Sequence, residues 1–191
     1  MSIRLERGFT LVELMIAVAV LAILAAAATP SMGAIINNNR LRAATNETVA
    51  TLQSARLEAI RGNRRAVACM SADPDAALPA CNPAGSSGWI VFLDADRDGA
   101  LGANERLLRR ASLPGQVRMQ PSAAFANGVA FNADGFARDA GGNLLNATVS
   151  LCLPTTRPQE NARLVSIGSG SRIRTNRVNA AGECPTPGDR P

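Results

Sequence analysis

The chain has no histidine, no lysine and no tyrosine, and only 3% of its 191 residues are aromatic. Without an imidazole it lacks the usual general base of triad hydrolases and a common ligand of zinc sites. These absences weigh against catalysis, so we expect neither an enzyme nor a bound cofactor apart from the calcium considered below. Apolar residues nevertheless make up 47% of the chain, which is enough for a sizeable core.

Charge is distributed unevenly along the chain. All 20 basic residues are arginine, and with 15 acidic residues they give a formal net charge of +5. Residues 66–161 carry seven arginines and nine acidic residues, whereas residues 162–191 carry five arginines and two acidic residues. A genome that prefers arginine codons explains the missing lysine but not this asymmetry. The basic end of the chain therefore indicates an anionic partner.

A long apolar run lies near the N-terminus. Residues 9–28 are apolar apart from Thr10 and Glu13, and the first helix-breaking residue is Pro30. As a helix, a run of this length spans about 30 Å, the thickness of a bilayer core. We therefore predict a transmembrane helix over residues 9–29.

The residues before this run predict its orientation. Arg4 and Arg7 favour a cytoplasmic N-terminus, which places everything after the span on the outer side. The alternative is a cleaved secretory signal. Such signals have an apolar core of about 7–15 residues and do not normally contain a carboxylate like that of Glu13.

The helical pattern continues over residues 30–63, with a bend expected at Pro30. Gly62 and Asn63 are typical of a helix end. Residues three and four apart share one helix face. We therefore predict that this half of the helix is half-buried, with one face formed by the stripe Leu41, Thr45, Thr48, Leu52, Ala55 and Ala59.

From residue 64 onward the hydrophobic period changes to two, which predicts a β-rich head over residues 64–191. An antiparallel sheet or sandwich, with the amphipathic half of the helix packed on one face, fits this pattern. The predicted strands are AVACM, WIVFLD, RLLRRA, QVRMQ, GVAFN, TVSLCL, ARLVSIG and SRIRTNRV.

Residues 7–14, RGFTLVEL, resemble the type IV prepilin signal, in which a glycine precedes Phe-Thr-Leu-x-Glu-Leu at the start of an apolar helix. The resemblance implies that residues 1–8 are a leader and that a prepilin peptidase cuts between Gly8 and Phe9. It also implies that the new amine of Phe9 is methylated. A carboxylate in lipid is costly and usually paired. In pilins the residue matching Glu13 is understood to pair with the N-terminal amine of a neighbouring subunit.

The rest of the chain is similar to minor pilins and pseudopilins of the FimT/GspH type. The segment GWIVFLDADRDGALGANERLLRR at 88–110 carries the similarity, as does the strand TVSLCLP followed by a basic strand and a final cysteine. The resemblance implies a pilin-like α+β fold and a single-pass protein of the bacterial inner membrane with a periplasmic head. It implies other pilins as partners and a role as a minor pilin of a type IV pilus. The alternative is a GspH-like minor pseudopilin of a type II secretion system.

Asp94, Asp96, Asp98, Gly99 and Glu105 match the calcium-loop pattern D-x-D-x-D-G-x5-E. Calcium loops of this class lie between two helices, whereas this one follows a predicted strand. A polar turn whose aspartates bond their own backbone is the alternative. Both interpretations stay open at this point.

Four cysteines are present, none in a Cys-x-x-Cys pair, so a zinc site is not indicated. Export favours disulfides. Of the three pairings, we favour Cys69–Cys81, which closes a proline-rich loop, and Cys152–Cys184, which ties down the C-terminal segment. Buried free thiols are the alternative.

Arg172, Arg174 and Arg177 lie in the predicted last strand. Arg172 and Arg174 should share one face, about 7 Å apart, which is close to the spacing of phosphates along a nucleic-acid strand. The segment resembles the Gly-Arg-x-Arg motif that carries DNA binding in FimT-type pilins of natural transformation, with Ser171 in place of the glycine. The resemblance implies non-specific double-stranded DNA as a partner. A solvated edge strand protected by charge is the alternative.

Overall fold

The computed structural model describes residues 8–139, 142–168 and 170–189, and within its helix it leaves out the side chains of residues 26–31. Of the expected leader, only Gly8 lies in the described part. Helix α1 spans Leu11–Gly62 and is followed by a β-rich head.

The described part of the head contains nine strands. All eight predicted strands are present within two residues of their expected bounds, and only the two-residue β6 was not predicted. The strands are β1 (Ala66–Ser71), β2 (Gly88–Leu93), β3 (Leu107–Ser112), β4 (Arg118–Pro121), β5 (Val129–Phe131), β6 (Ala137–Arg138), β7 (Ala147–Cys152), β8 (Ala162–Gly168) and β9 (Arg172–Val178). A 3₁₀ turn, Ala123–Phe125, connects β4 to β5.

Helix α1 has a cap at each end. Thr10 Oγ1 accepts a hydrogen bond of 3.2 Å from the backbone N–H of Glu13, which satisfies one of the free donors of the first turn. After Gly62, Asn63 adopts the left-handed conformation (φ 46°), and its N–H donates to carbonyls of the last turn. Between these caps the helix continues through residue 30, where the sequence predicted a bend.

The sequence predicted a membrane span over residues 9–29. Within the described part of the chain, no helix combines the length and the apolar character that crossing a membrane requires. The end of the predicted span, residues 26–29, has side chains that lie outside the described part.

Two antiparallel sheets form the head, with the strand orders β3-β2-β1-β5-β6 and β4-β7-β8-β9. In the first sheet, β1 pairs with β2 from Ala66↔Leu93 to Ser71↔Gly88. In the second, β8 pairs with β9 from Ala162↔Val178 to Gly168↔Arg172. Strand β9 is the last in its sheet, so one of its edges has no neighbouring strand among the described residues.

The predicted stripe of α1 is buried in full, from Leu41 to Ala59, and the helix contacts strands of both sheets. Trp89 of β2 is completely buried against it. The indole Nε1–H donates to Thr48 Oγ1 at 3.1 Å, and the ring lies edge-on to Phe125 with 5.8 Å between centroids. The threonine in the middle of the apolar stripe therefore satisfies the polar atom of the largest core side chain.

A second, smaller cluster lies on the opposite face of the first sheet, because alternate residues of a strand face opposite sides. It consists of Val67, Cys69, Ile90 and Phe92, and we call it the outer cluster. Cys81 and Leu101, from two different loops, pack against it. The disulfide Cys69–Cys81 ties the first of these loops to β1, with 5.5 Å between the two Cα atoms.

The segment after β9 folds back onto the second sheet. Cys184 forms a disulfide with Cys152 of β7. The carbonyl of Glu183 accepts a hydrogen bond of 3.0 Å from Asn161, and Asp189 Oδ1 accepts one of 2.9 Å from the N–H of Ala124. The two disulfides are the pairs that the sequence analysis favoured.

Two buried threonines of α1 provide a test of this packing. Replacing Thr48 by Val should lower the free energy of unfolding by about 1–3 kcal/mol, because the Trp89 Nε1–H would stay buried with no acceptor. Thr51 is also fully buried, but its hydroxyl has no hydrogen-bond partner among the described residues. Thr51→Val is therefore the matched control and should leave stability unchanged or raise it. Urea unfolding of the two variants in detergent measures both effects, and equal losses would contradict the assigned hydrogen bond.

Candidate functional site

The N-terminal half of α1 presents an apolar surface that the described head does not cover. Phe9 is 80% exposed and Ile23 is 70% exposed. The exposed apolar side chains continue to Ile36, and Leu41 is the first buried residue among the described side chains of the helix. An exposed apolar surface of this extent, described over residues 9–25 and 32–36, marks an interaction site.

Glu13 lies in the first turn of α1, four residues after Phe9, and its side chain is exposed. Its carboxylate has no partner among the described residues, and the positive end of the helix dipole favours a negative charge there. The sequence analysis missed the role of Thr10 as the cap of this turn. The signal was present, because Thr-x-x-Glu before an apolar run is a known helix-start pattern.

Gly8 is not required by the packing of this chain. A Cβ atom placed on Gly8 would meet nothing within 4 Å, and its backbone is not in the left-handed region. Neither crowding nor strain within the described structure explains a glycine at this position. If a glycine is required at this position, the requirement comes from another molecule that contacts the backbone here.

Strand β9 presents Arg172 and Arg174 on the same face, as strand alternation predicted. Ile173, between them, points the other way and packs against the main core. Both guanidinium groups are exposed, and neither has an ion pair or a hydrogen bond with the described part of the chain. They are free to bind an external anion.

Arg177, the third arginine of the predicted DNA-binding set, does not share this face. It lies three residues after Arg174, and an odd spacing places it on the opposite face of the strand. There it is paired in the ladder with Arg163, and its Nη1 is 3.6 Å from Glu160 Oε2. Its charge is already partly balanced within the chain.

Arg163 is a buried arginine that the sequence analysis missed, since nothing in the sequence separates it from the exposed arginines. Its Nη2 donates to Asn38 Oδ1 of α1 at 2.8 Å, and its Nη1 donates to the carbonyls of Glu160 and Ala162. Burial, reinforced by the nearby charge of Arg177, lowers the pKa of Arg163 below its ordinary value. This side chain fixes the second sheet to the helix.

Ser171 positions the start of β9. Its backbone is in the left-handed region (φ 58°), which glycine adopts without strain. The Ser171 hydroxyl oxygen accepts a hydrogen bond of 2.6 Å from the buried N–H of Ala137, and its carbonyl accepts one of 3.3 Å from Arg56 of α1. Serine thus occupies a conformation suited to glycine, and these hydrogen bonds hold it there.

The β2–β3 connection brings the four predicted carboxylates together. One oxygen each from Asp94, Asp96, Asp98 and Glu105 lies within 4.8 Å of the others. The loop joins two strands rather than two helices. Asp96 and Asp98 each accept a hydrogen bond from a backbone N–H two residues ahead, as expected for a polar turn.

Asp94 differs from the other three because it is only 2% exposed. Its Oδ2 lies 3.2 Å from Nε of Arg65, but neither carboxylate oxygen accepts a hydrogen bond of good geometry from the described residues. Burial raises the pKa of the Asp94 carboxyl above its ordinary value, and the Arg65 guanidinium offsets part of that rise. Sequence analysis grouped Asp94 with its neighbours and did not identify its burial or its ion pair.

Comparison with known families gives two matches. Residues 44–182 match the family model described as type II transport protein GspH. Residues 3–29, which include Gly8, Phe9 and Glu13, match the prokaryotic N-terminal methylation motif. A search of curated protein sequences gives no significant match.

Among solved structures, two crystal forms of the type IV minor pilin FimU from Pseudomonas aeruginosa (strain PAO1) have a similar fold. The form in space group P21 is 19% identical with a TM-score of 0.50, and the match covers 73% of this chain and 90% of that chain. The form in space group P65 is 21% identical with a TM-score of 0.51, and the match covers 71% and 92%. At these identities the similarity establishes the fold alone, a long helix packed on antiparallel sheets.

Proposed function

Because the chain belongs to the type II transport protein GspH family, whose model matches residues 44–182, we propose that it is a minor pilin, a structural subunit of a type IV pilus. The observation that carries this proposal is the exposed apolar surface of residues 9–25 and 32–36, at the N-terminal end of α1, which the described head leaves uncovered. Packing this surface against the helices of other subunits removes it from water, and that burial drives assembly. Proteins of this kind are structural subunits rather than enzymes.

Maturation begins with removal of the leader. We propose that a prepilin peptidase cuts between Gly8 and Phe9 and that the Phe9 amine is then methylated. The match of residues 3–29 to the N-terminal methylation motif supports this step. The open surroundings of Gly8 support this step too. The fold does not require a glycine at this position, and no described atom blocks a peptidase from the backbone here.

Before assembly the protein would be held at the inner membrane by its N-terminal segment, in a single pass. Arg4 and Arg7 favour a cytoplasmic N-terminus and a periplasmic head. The two disulfides of the head fit an oxidising compartment such as the periplasm.

Within the filament, Glu13 is proposed to pair with the methylated Phe9 amine of a neighbouring subunit. The Glu13 carboxylate has no partner in the described structure and lies on the exposed apolar part of α1. Surrounded by apolar helices, an unpaired carboxylate is costly, so only a register that brings an amine to Glu13 is favourable. The pair of Glu13 and the Phe9 amine would then set the axial offset between neighbouring subunits.

The family description itself supports a second candidate, a minor pseudopilin of a type II secretion system. The exposed helix serves both roles equally well. Deletion of the gene distinguishes them: loss of pilus-dependent motility supports the pilus, whereas loss of secreted enzymes from the medium supports the secretion system.

A further proposed activity is weak, non-specific binding of double-stranded DNA by the exposed pair Arg172 and Arg174, which would serve DNA uptake in natural transformation. Their guanidinium groups stand on one face of an edge strand, and Arg can contact phosphates without reading bases. Arg177 would contribute less to DNA binding, because its charge is partly balanced by Glu160.

The N-terminus of the protein extracted from membranes or filaments tests the processing step. We expect mass spectrometry to find a chain that begins at an N-methylated Phe9. A chain that still begins at Met1, or one cut near Thr29 as after a secretory signal, would contradict the pilin interpretation.

Removing the charge of Glu13 tests the assembly step. Glu13→Gln should reduce incorporation into filaments by about tenfold or more, the loss expected for one charge-assisted interaction, while insertion in the membrane is kept. Glu58→Gln removes a carboxylate from the same helix within the head and serves as the control. Quantitative immunoblots of sheared filaments and of membranes give both values. Equal incorporation of the two variants would show that Glu13 has no pairing role.

DNA binding is tested with the full chain in detergent by fluorescence polarisation at several salt concentrations. The parent should bind with a log–log salt slope of about −2, since each neutralised phosphate contributes about −0.9. Arg172→Gln with Arg174→Gln should remove most of the binding. Arg64→Gln with Arg106→Gln removes two exposed positive charges elsewhere and should remove little. If both double variants bind alike, the effect is one of net charge and β9 is not a DNA site.

A further inference from the structure

The β2–β3 loop, residues 94–105, gathers four carboxylates at one point, and its Leu101 packs on the outer cluster. We propose that this loop binds one calcium ion and that the ion holds the loop on the outer cluster. Nothing in the proposed role as a pilus subunit requires such an ion, so the inference stands independently of that role.

The buried carboxylate of Asp94 is the observation that points to a cation. Asp94 is 2% exposed, and its side chain is fully shielded from solvent. Arg65 lies 3.2 Å from Oδ2, and the backbone N–H of Arg97 lies near the carboxylate, but the buried Oδ1 accepts no hydrogen bond of good geometry from the described residues. Buried polar atoms are normally satisfied, and an unsatisfied carboxylate oxygen is costly. A cation among the four carboxylates would satisfy it.

The donors fit calcium by type and by position. The loop offers carboxylate oxygens at its positions 1, 3, 5 and 12 and a backbone carbonyl at position 7, Ala100. Gly99, at position 6, has φ +77°, the left-handed turn that this position requires. An all-oxygen site with many carboxylates suits calcium, because magnesium keeps several waters and demands a stricter octahedron.

Glu105 is already held in place without an ion. Its Oε1 accepts a hydrogen bond from the N–H of Ala95 at 2.6 Å, and its Oε2 accepts one from the N–H of Gly102 at 3.0 Å. Each carboxylate oxygen has two lone pairs, so both oxygens keep a site for a cation. The two ends of the loop are thereby closed around the cluster before any ion binds.

The ion would act on the fold through charge and through Leu101. Residues 94–105 contain four acidic residues and one arginine, a net charge of −3, and one divalent cation would reduce it to −1. Leu101, in the same loop, packs against the outer cluster beside Cys81. Relieving the repulsion therefore stabilises the loop in the position that covers Val67, Ile90 and Phe92 of this cluster.

Calcium binding is measured on the full chain in detergent after treatment with EGTA. Equilibrium dialysis against radioactive calcium should find one ion per chain. With about 5 mM calcium, above the dissociation constants of about 10⁻⁴–10⁻³ M typical of extracellular modules, the midpoint of thermal unfolding should rise by about 3–5 °C. Magnesium at the same concentration should raise it less. No bound calcium in the parent, or binding with no rise in the midpoint, overturns the proposal.

Two double variants locate the ion. Asp96→Ala with Asp98→Ala removes two exposed ligands and should abolish both binding and the rise, whereas asparagine at these positions would keep an oxygen ligand. Asp73→Ala with Asp139→Ala is the matched control, because these exposed aspartates also accept backbone N–H bonds but lie outside the cluster. The midpoint in EGTA should be similar for the two double variants. If the first variant is unfolded in EGTA, Asp96→Ala alone takes its place and should weaken calcium binding by about tenfold or more. Calcium binding that survives the loss of these ligands, or is lost equally in the control, places the ion elsewhere and overturns the site.

Discussion

The burial of one face of α1 between Leu41 and Ala59 is the interaction on which the rest of the head depends. Both sheets contact this face, so neither has a complete core without the helix. Its buried positions are mostly alanine, leucine and threonine, and the small side chains let the sheets approach the helix axis closely. Before Leu41, none of the described side chains of the helix is buried, so the described part of its first half presents no such face to the sheets.

Polar contacts then fix how the sheets lie on this helix. Thr48 holds the indole of Trp89 in the first sheet, and Asn38 holds the guanidinium of Arg163 in the second. Arg56 reaches the carbonyl of Ser171 at the start of β9. Each of these bonds has one correct geometry, whereas apolar packing alone tolerates small shifts, so the three contacts specify the orientation of the sheets more than they add to stability.

Features encoded by local patterns could be predicted from the sequence, and features set by distant contacts could not. The end of α1 at Gly62 and the eight longer strands follow from turn residues and hydrophobic period. The division into two sheets does not, because any antiparallel order satisfies the same alternation. The ion pair of Arg177 with Glu160 and the burial of Asp94 beside Arg65 could not be predicted, because both depend on residues that are distant in sequence.

The continuity of α1 has a mechanical consequence. At 1.5 Å per residue, a helix of 52 residues is about 78 Å long, and its backbone runs from the exposed apolar end to the middle of the head without a break. In the proposed filament, tension along the axis would be transmitted between the packed helices of neighbouring subunits, through residues before Gly62. The sheets, attached to the side of the helix, would carry little of that load. The loops of the sheets can therefore change in sequence, or bind different ligands, without weakening the filament.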